Sequence, residues 1–351
     1  MATYTVGPGG DYTVMSTAIA AATAGDTLQV LAGYSFNTGT EAYDFVKIDK
    51  DNLTLESQGG TPSSATIATA GAANDHPTIS VHLNTTGISI KNLTIKNTGA
   101  GTMPFGINCG SSANLNVVNI EDCVIESTGM GVGYIFSGSV KRCHIKGTGP
   151  LAHVGVHYTG GGSTTSVIVE SCLFDSIKHH GVFNMNGGFT VRNCTFYNPT
   201  PSPSSAGMYM SGDPYTVSNC VFYTTATTMV PILMSSDSDN TVKNCVAFGS
   251  ATMIFTGLGG SIVTADLVDN SAAVTPVFVS VGSDFHPDPD GSAYQAGDAS
   301  LAATTDIDGN SFDTPPSIGC YEAASSGGGG GGGAVLNSRA GFLSSPFTLT
   351  P

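Results

Sequence analysis

The sequence predicts an all-β fold: a single-stranded right-handed parallel β-helix with three short strands per coil and an N-terminal capping helix. Three observations predict it. A cysteine-marked motif recurs along the middle of the chain at intervals of about 25 residues, a period typical of solenoids. Glycine is abundant, with 46 of 351 residues, whereas Asp, Glu, Lys and Arg together make only 11%. Glycine disfavours helices and a 40% hydrophobic content disfavours disorder, so we expect mainly strands and turns.

The repeat motif consists of an apolar residue, two mostly polar residues, a cysteine and a second apolar run. Its cysteines are Cys123, Cys143, Cys172, Cys194, Cys220 and Cys245, and Leu93 takes the cysteine position in an earlier copy. The intervals vary, which strands of constant length joined by variable turns tolerate. Because the six cysteines share one repeat position, we expect an inward column of free, buried thiols that behave as small hydrophobes.

Each repeat contains two further strands and a sharp bend. One strand follows a glycine, as in residues 155–158, and the other ends on the apolar residue of the motif, as in residues 166–169. Equivalent strands of successive coils should stack in parallel about 4.8 Å apart. The residue before the cysteine is asparagine in four copies, at Asn92, Asn193, Asn219 and Asn244. Asparagine accepts the left-handed conformation that a bend needs, and stacked asparagines should form a structural amide ladder.

Both ends of a β-helix need covering, because an open sheet edge pairs with other chains. We expect a helix over residues 16–24, with Ser16 as N-cap and Gly25 at the C′ position, to cover the N-terminal end. We divide the chain into an N-terminal cap and first coil (1–33), β-helix coils (34–265), C-terminal coils with an acidic cap (266–326), a glycine linker (327–333) and an apolar anchoring tail (334–351).

Two parts of the sequence resemble a known superfamily. Residues 4–12 and 25–34 resemble the N-terminal cap and first coil of the pectin-lyase-like β-helix superfamily. Residues 291–297, 306–310 and 318–322 look like the closing motif of many bacterial and phage β-helix repeat proteins, with Cys320 where alanine is commoner. The resemblance spans residues 4–322 and implies the fold. It does not imply one activity, because this fold carries enzymes, adhesins and virus structural proteins.

Charge excludes several classes of partner. The formal net charge is −15, from 26 acidic and 11 basic residues, so the chain lacks the basic surface that binds nucleic acid or anionic membranes. No segment approaches 18 consecutive apolar residues, and the N-terminus lacks a charged region followed by an apolar run. We therefore expect neither a membrane span nor Sec-dependent export. We also expect no cofactor.

The acidic residues do not match a known catalytic set. The sequence has neither the Asp-Asp pair nor the Gly-His-Gly of polygalacturonase-like members, and its coils hold only Arg142 and Arg192 for lyase-like chemistry. Four pairs have the spacing of two carboxylates on one strand face: Asp49/Asp51, Asp237/Asp239, Asp288/Asp290 and Asp306/Asp308. Turn-like surroundings argue against catalysis, so we assign no catalytic residue. Asp288, Asp290, Asp306 and Asp308 are candidate calcium ligands. His179 and His180 lie near a coil corner, where a metal or proton-transfer role is the alternative to a structural one.

Two sets of side chains should face outward. His157, Phe183 and Tyr209 each lie two residues after a coil glycine, at equal intervals, and we name them the aromatic stripe. An aromatic stripe can hold sugar rings, form a subunit interface, or belong to the core if the strand phase is reversed, and all three alternatives stay open. Val124, Leu173 and Val221 directly follow a motif cysteine, and apolar residues at this outward position indicate lateral packing against another surface.

The leading functional prediction is a non-enzymatic structural protein of a phage virion surface: a head decoration, fibre or spike that forms a homotrimer. A second virion protein should bind the apolar anchoring tail through Val335, Leu336, Phe342, Leu343, Phe347 and Leu349. A cell-surface glycan is a further candidate partner. Two alternatives stay open: a tailspike-like polysaccharide depolymerase acting beside the aromatic stripe, and an extracellular β-helix adhesin.

Overall fold

The computed structural model describes residues 1–36, 41, 44–69, 76–82, 84–101, 104–110, 116–149, 154–158, 166–184, 188–198, 205–211, 214–224, 230–234, 240–248, 254–256, 263–265, 268–270 and 278–323. The glycine linker lies outside the described residues. So do the tail residues Val335, Leu336, Phe342, Leu343, Phe347 and Leu349, and the pair Asp237 and Asp239.

The described chain consists of short strands with one α-helix, α1 (Met15–Ala21), and one 3₁₀ helix (Pro62–Ser64). In chain order the strands are β1 (Thr3–Val6), β2 (Thr27–Val30), β3 (Val46–Ile48), β4 (Thr54–Ser57), β5 (Thr66–Thr69), β6 (Ile79–Val81), β7 (Ile88–Lys91), β8 (Thr94–Asn97), β9 (Phe105–Asn108), β10 (Val117–Glu121), β11 (Val124–Ser127), β12 (Met130–Ile135), β13 (Ser137–Lys141), β14 (His144–Gly147), β15 (Val154–Tyr158), β16 (Val167–Glu170), β17 (Leu173–Asp175), β18 (His180–Asn184), β19 (Phe189–Arg192), β20 (Thr195–Asn198), β21 (Ala206–Met210), β22 (Tyr215–Ser218), β23 (Val221–Thr224), β24 (Val230–Met234), β25 (Thr241–Lys243), β26 (Val246–Phe248), β27 (Ile254–Thr256), β28 (Val263–Ala265), β29 (Val268–Asn270), β30 (Phe278–Ser280) and β31 (Asp284–Pro287).

These strands form three long parallel sheets. The first sheet contains, in spatial order, β1, β2, β4, β7, β10, β13, β16, β19, β22, β25 and β28. The second contains β5, β8, β11, β14, β17, β20, β23, β26 and β29, and the third contains β3, β6, β9, β12, β15, β18, β21, β24 and β27. Successive strands along the chain therefore enter the three sheets in turn, which confirms the predicted parallel β-helix. Strands β30 and β31 form a separate antiparallel pair.

The interior is built from columns of similar side chains in register. Phe174, Phe196 and Phe222 stack along the second sheet with ring centroids 4.6 and 4.7 Å apart and almost parallel planes. Gly181 of the third sheet lies against them, where a Cβ atom would come within 2.4 Å of the Phe196 ring. Glycine is required at this position because the aromatic rings already fill the space that a side chain would need.

The cysteine column lies in the same interior. All eight cysteines are buried and free. Each of the six motif cysteines directs its Sγ–H to the backbone carbonyl two residues earlier, at 3.1 to 3.3 Å. Burial raises the pKa of Cys109 and Cys123, which keeps these thiols protonated and unreactive.

Helix α1 covers the N-terminal end and buries Met15, Ala18 and Ile19 in the core. The predicted caps are wrong. Val14 is the N-cap and Ser16 lies within the helix, while the C-cap is Ala22 rather than a residue before Gly25. Glu41, distant in sequence, accepts the backbone N–H groups of Met15 and Ser16 at 2.9 and 2.8 Å. A tertiary carboxylate thus satisfies the helix N-terminus that the local sequence leaves uncapped.

The residue before each motif cysteine adopts the left-handed conformation. Asn92, Asn193, Asn219 and Asn244 have φ values of 54°, 49°, 52° and 49°. Asp122, Arg142 and Ser171 take the same conformation in the intervening coils. The bend therefore recurs with several residue types, of which asparagine tolerates positive φ best.

Residues 278–323, which we call the strap, lie along the side of the helix. Asn193 donates from Nδ2 to the carbonyl of Ser317, at 3.3 Å, and accepts from the N–H of Ala303 at 2.8 Å. Asn219 donates to the carbonyl of Asp298 at 3.0 Å and accepts from its N–H at 2.9 Å. In these described hydrogen bonds the amides bind the strap instead of forming the expected ladder with one another. The strap also follows the side of the coils, where we expected a cap at the end.

The apolar side of the strap covers the outward face of the second sheet. Phe278, Phe285, Ile307 and Ile318 form one buried cluster with Leu173, Val221 and Val246 of that sheet. This second core lies outside the β-helix proper. Among the described residues, no helix is long and apolar enough to cross a membrane.

Candidate functional site

The outward face of the third sheet holds the aromatic stripe. Strands β15, β18 and β21 place His157, Phe183 and Tyr209 directly beside one another in parallel register, and Leu233 of β24 continues the column. The interior side of the same strands is occupied by residues such as Val182. The equal spacing in sequence therefore becomes one continuous column along the helix axis.

The rings of this column contact each other closely. The ring centroids of His157 and Phe183 are 5.0 Å apart in an edge-to-face arrangement, and those of Phe183 and Tyr209 are 5.0 Å apart and nearly parallel. Tyr134 extends the column, with its ring 5.2 Å from that of His157. Phe183, Tyr209 and Tyr134 are half-buried, so the stripe forms a ridge on the surface.

Tyr134 reaches this position through a local irregularity. Strand β12 shifts register between Val132 and Ile135, so it contains one more residue than its neighbour β15 over this stretch. The extra residue takes a φ of 55° at Tyr134, which is uncommon for a bulky side chain. This bulge turns the Tyr134 ring toward His157. No repeat in the sequence indicates it.

His157 is buried without a hydrogen bond. The residue is 8% exposed, and neither Nδ1 nor Nε2 has a partner. Burial lowers the pKa of His157 to about 4, so the imidazole is neutral at pH 7 and presents one donor and one acceptor. A buried polar group without a hydrogen bond reduces the stability of the folded state by about 1 to 3 kcal/mol. A ligand that forms hydrogen bonds with His157 would remove this cost.

His180 adds a second imidazole beside the stripe. Its ring centroid lies 5.3 Å from that of Phe183 and 5.6 Å from that of Tyr209, and its Nδ1 is buried and unpaired. Burial, followed by the charge of His179, lowers the pKa of His180 to about 4. The two neutral imidazoles can therefore accept or donate hydrogen bonds at several atoms, but neither is an imidazolium that could act as a general acid at neutral pH.

The third sheet carries no formal charge near the stripe. Strands β9, β12, β15, β18, β21 and β24 contain no Asp, Glu, Lys or Arg. The first sheet differs, because one of its outward columns alternates in charge through Lys141, Glu170 and Arg192. Glu170 lies 2.7 Å from Lys141 Nζ and 2.6 Å from Arg192. Charges are thus paired on one face, while aromatic rings and imidazoles occupy another.

The other outward residues are placed on the second sheet. Leu173 and Val221 are buried beneath the strap, so their lateral packing is with the chain's own C-terminal segment. Val124 is half-buried at the same column, in register with His144. Only Leu173 and Val221 of these three belong to the cluster that the strap covers.

The candidate calcium ligands lie in the strap. Asp288 accepts the backbone N–H of Asp290 in a local turn. Asp306 is buried and accepts from Asn310 and from the N–H of Glu322, and burial raises its pKa. Asp308 lies 3.8 Å from His286 Nε2. In the described part of the chain, no three His, Cys, Asp or Glu residues are grouped so that they could hold a metal ion.

Comparisons with known proteins agree with this architecture. The family model of the right handed beta helix region matches residues 136–286. The chain is a right-handed parallel β-helix. The crystal structure of pectate lyase Pel9A superposes with a TM-score of 0.57 at 12% identity, over 92% of this chain and 97% of that one. No curated protein matches the sequence.

Two further solved structures are similar at lower scores. A pectin methylesterase from Aspergillus niger has a TM-score of 0.48 at 16% identity, over 77% of this chain and 86% of that one. An alginate lyase from a Paenibacillus species has a TM-score of 0.45 at 13% identity, over 76% of this chain and 99% of that one. At these identities the likeness shows the fold alone.

Proposed function

We propose that this protein is a non-enzymatic β-helix of a phage particle surface, a head decoration, fibre or spike, that binds a glycan along the aromatic stripe. One observation carries the glycan part of the proposal: Nδ1 and Nε2 of His157, in the middle of an apolar ridge, are buried without a hydrogen-bond partner, and so is Nδ1 of His180. A sugar hydroxyl both donates and accepts, so it matches a neutral imidazole in either tautomer. The apolar face of a sugar ring matches the aromatic rings.

Access to these nitrogens requires a small movement. They lie just beneath the surface, next to the half-buried rings of Tyr134 and Phe183. We expect rotation of either ring to give a hydroxyl group access to His157.

The low pKa values of His157 and His180 favour glycan binding without cleavage. General acid–base catalysis at neutral pH works best with a group whose pKa lies near 7. His157 and His180 both have a pKa of about 4, and the causes of these shifts include no carboxylate. The competing function is a glycan depolymerase, for which the same face would supply the groove.

Binding and cleavage are separated by two measurements on the same protein. We expect at least one polysaccharide in a panel to retard the protein in affinity electrophoresis. The dissociation constant derived from this retardation should rise at least about tenfold in Phe183→Ala and in Tyr209→Ala, a loss of about 1.4 kcal/mol or more of binding free energy. Thr190→Ala, on another outward column of the first sheet, is the matched control and should bind normally. Release of reducing ends or of unsaturated products would establish a depolymerase instead. Retardation that is unchanged in both stripe variants would exclude the stripe as the binding surface.

Assembly into a homotrimer and attachment through the apolar anchoring tail are the second part of the proposal, with the exported adhesin as the competing location. Their support is the sequence of residues 327–351, in which seven glycines precede an apolar segment. Deletion of residues 327–351 should leave a folded β-helix that no longer joins its particle. Native mass measurement of the purified protein and of particles reconstituted with it reports both stoichiometry and attachment. Unchanged incorporation of the deletion variant would refute the role of the tail.

A further inference from the structure

The positions of the Lys and Arg residues indicate which class of glycan the aromatic stripe can bind. Ten of the 11 Lys and Arg residues are described, and none lies on β9, β12, β15, β18, β21 or β24. Lys47 lies on β3, at the N-terminal end of the third sheet, and the other nine lie on the first and second sheets or in turns. Several are committed to ion pairs, such as Lys96 with Glu126 at 3.1 Å and Arg192 with Glu170 at 2.6 Å. Along the chain, the described cation nearest the stripe is Lys178, in the turn before β18.

A carboxylate on this face would lose water without gaining a counter-charge. Burying an ion without a partner costs far more than burying a hydroxyl that finds a hydrogen bond. The net charge of −15 adds repulsion for any polyanion that approaches. An uncharged sugar meets neither obstacle, because its hydroxyls pair with the neutral imidazoles of His157 and His180.

We infer that the aromatic stripe binds uncharged polysaccharides and excludes polyuronates, an inference that rests on the proposed glycan-binding function. Selection follows from the absence of a cation on the described third-sheet strands around the stripe, together with hydrogen-bonding groups that carry no charge. Affinity for an uncharged chain should be almost independent of salt, because no ion pair forms.

The experiment compares two classes of soluble polysaccharide with the full-length protein. Dextran, galactomannan and mixed-linkage β-glucan represent uncharged chains, and polygalacturonate and alginate represent polyuronates. We expect at least one uncharged chain to bind with an affinity that low and high salt leave unchanged. The polyuronates should bind at least about tenfold more weakly, or not at all.

A charge-introducing variant tests the cause of the selectivity. Tyr209→Arg places a cation on the stripe, and it should create polyuronate binding that high salt abolishes. Thr216→Arg places the same charge on the first sheet, in the outward column of Thr190, and it should leave polyuronate binding unchanged. Unfolding midpoints of both variants establish that they are folded.

The possible results are distinguishable. Polyuronates that bind wild-type protein as tightly as uncharged chains would overturn the selectivity and leave the glycan-binding function standing. Binding of neither class would refute the glycan-binding function, and the selectivity with it. Equal polyuronate binding by Tyr209→Arg and Thr216→Arg would show that net charge, and not the stripe, controls exclusion.

Discussion

Replacement of Asn219 by glycine should release the strap from the coil that it covers. Asn219 is fully buried and makes two side-chain hydrogen bonds with the backbone of Asp298, at 3.0 and 2.9 Å. Its φ of 52° suits glycine at least as well as asparagine. Asn219→Gly therefore keeps the bend and removes only the amide. Asn92→Gly is the matched control, because Asn92 has a φ of 54°, is half-buried, and makes no side-chain hydrogen bond with the described strap.

The expected loss follows from these contacts. Each neutral hydrogen bond contributes about 0.5 to 1.5 kcal/mol to the free energy of unfolding, so two contribute about 1 to 3 kcal/mol. The greater chain entropy of glycine in the unfolded state affects both variants equally. The difference between Asn219→Gly and Asn92→Gly should thus be about 1 to 3 kcal/mol.

Urea unfolding measures this difference, and limited proteolysis locates it. Asn219→Gly should shift the midpoint to lower urea and make the strap the first cleaved segment, while Asn92→Gly should resemble wild type. Equal destabilisation of the two variants would refute the reasoning, because it would mean that the bend and not the amide determines stability.

Three further predictions concern the interior, the first sheet and the stripe. Gly181→Ala should cost about 1 to 3 kcal/mol in urea unfolding, and less in a Phe196→Ala background because the clashing ring is gone; additive losses would contradict the clash. Glu170→Ala removes a buried carboxylate that binds Lys141 and Arg192, and it should cost about 1.5 to 3 kcal/mol in urea unfolding. Glu126→Ala breaks the half-buried pair with Lys96 and should cost less than about 1 kcal/mol. His157 has its pKa lowered from 6.5 to about 4 by folding, so its stabilising contribution is complete above pH 6.5 and is lost as the pH falls toward 4, by up to about 3 kcal/mol. Urea unfolding at pH 6.5 and at pH 4 measures this loss, which should be absent in His157→Phe. If the variant lost as much stability as wild type between these pH values, the burial of a neutral imidazole would be contradicted.

The fold could be predicted from the sequence because its main signals are local and repeated. Stacking gives equivalent positions of successive coils the same surroundings, so they carry similar residues. A cysteine that recurs at one repeat position and a glycine that recurs at another therefore indicate which positions face inward. The caps of α1 were beyond this kind of prediction. Glu41 satisfies the helix N-terminus from 26 residues away, so no local pattern reveals it.

The candidate site could be predicted in part. Equal spacing after a glycine brings His157, Phe183 and Tyr209 together, because strand register converts sequence period into spatial contact. Tyr134 and His180 break the period, one through a bulge and the other through a neighbouring column, so their contacts with the stripe are seen only in the folded structure. The outward orientation of Leu173 could also be predicted, from its position after the cysteine. The strap that covers Leu173 could not be predicted, because its sequence does not contain the repeat motif.

The position of the strap in the chain sets an order of events during synthesis. The ribosome makes the coils first, and roughly 100 residues separate Leu173 from the strap that covers it. About 150 residues lie between Leu173 and the end of the strap, so at about 5 to 20 residues per second the apolar outer face of the second sheet stays incompletely covered for roughly 8 to 30 seconds on each nascent chain. During that interval the uncovered apolar faces of neighbouring nascent chains on one messenger RNA can contact each other. Chaperone binding in this window, and the yield of soluble protein, should therefore depend on how quickly the last residues of the strap leave the ribosome.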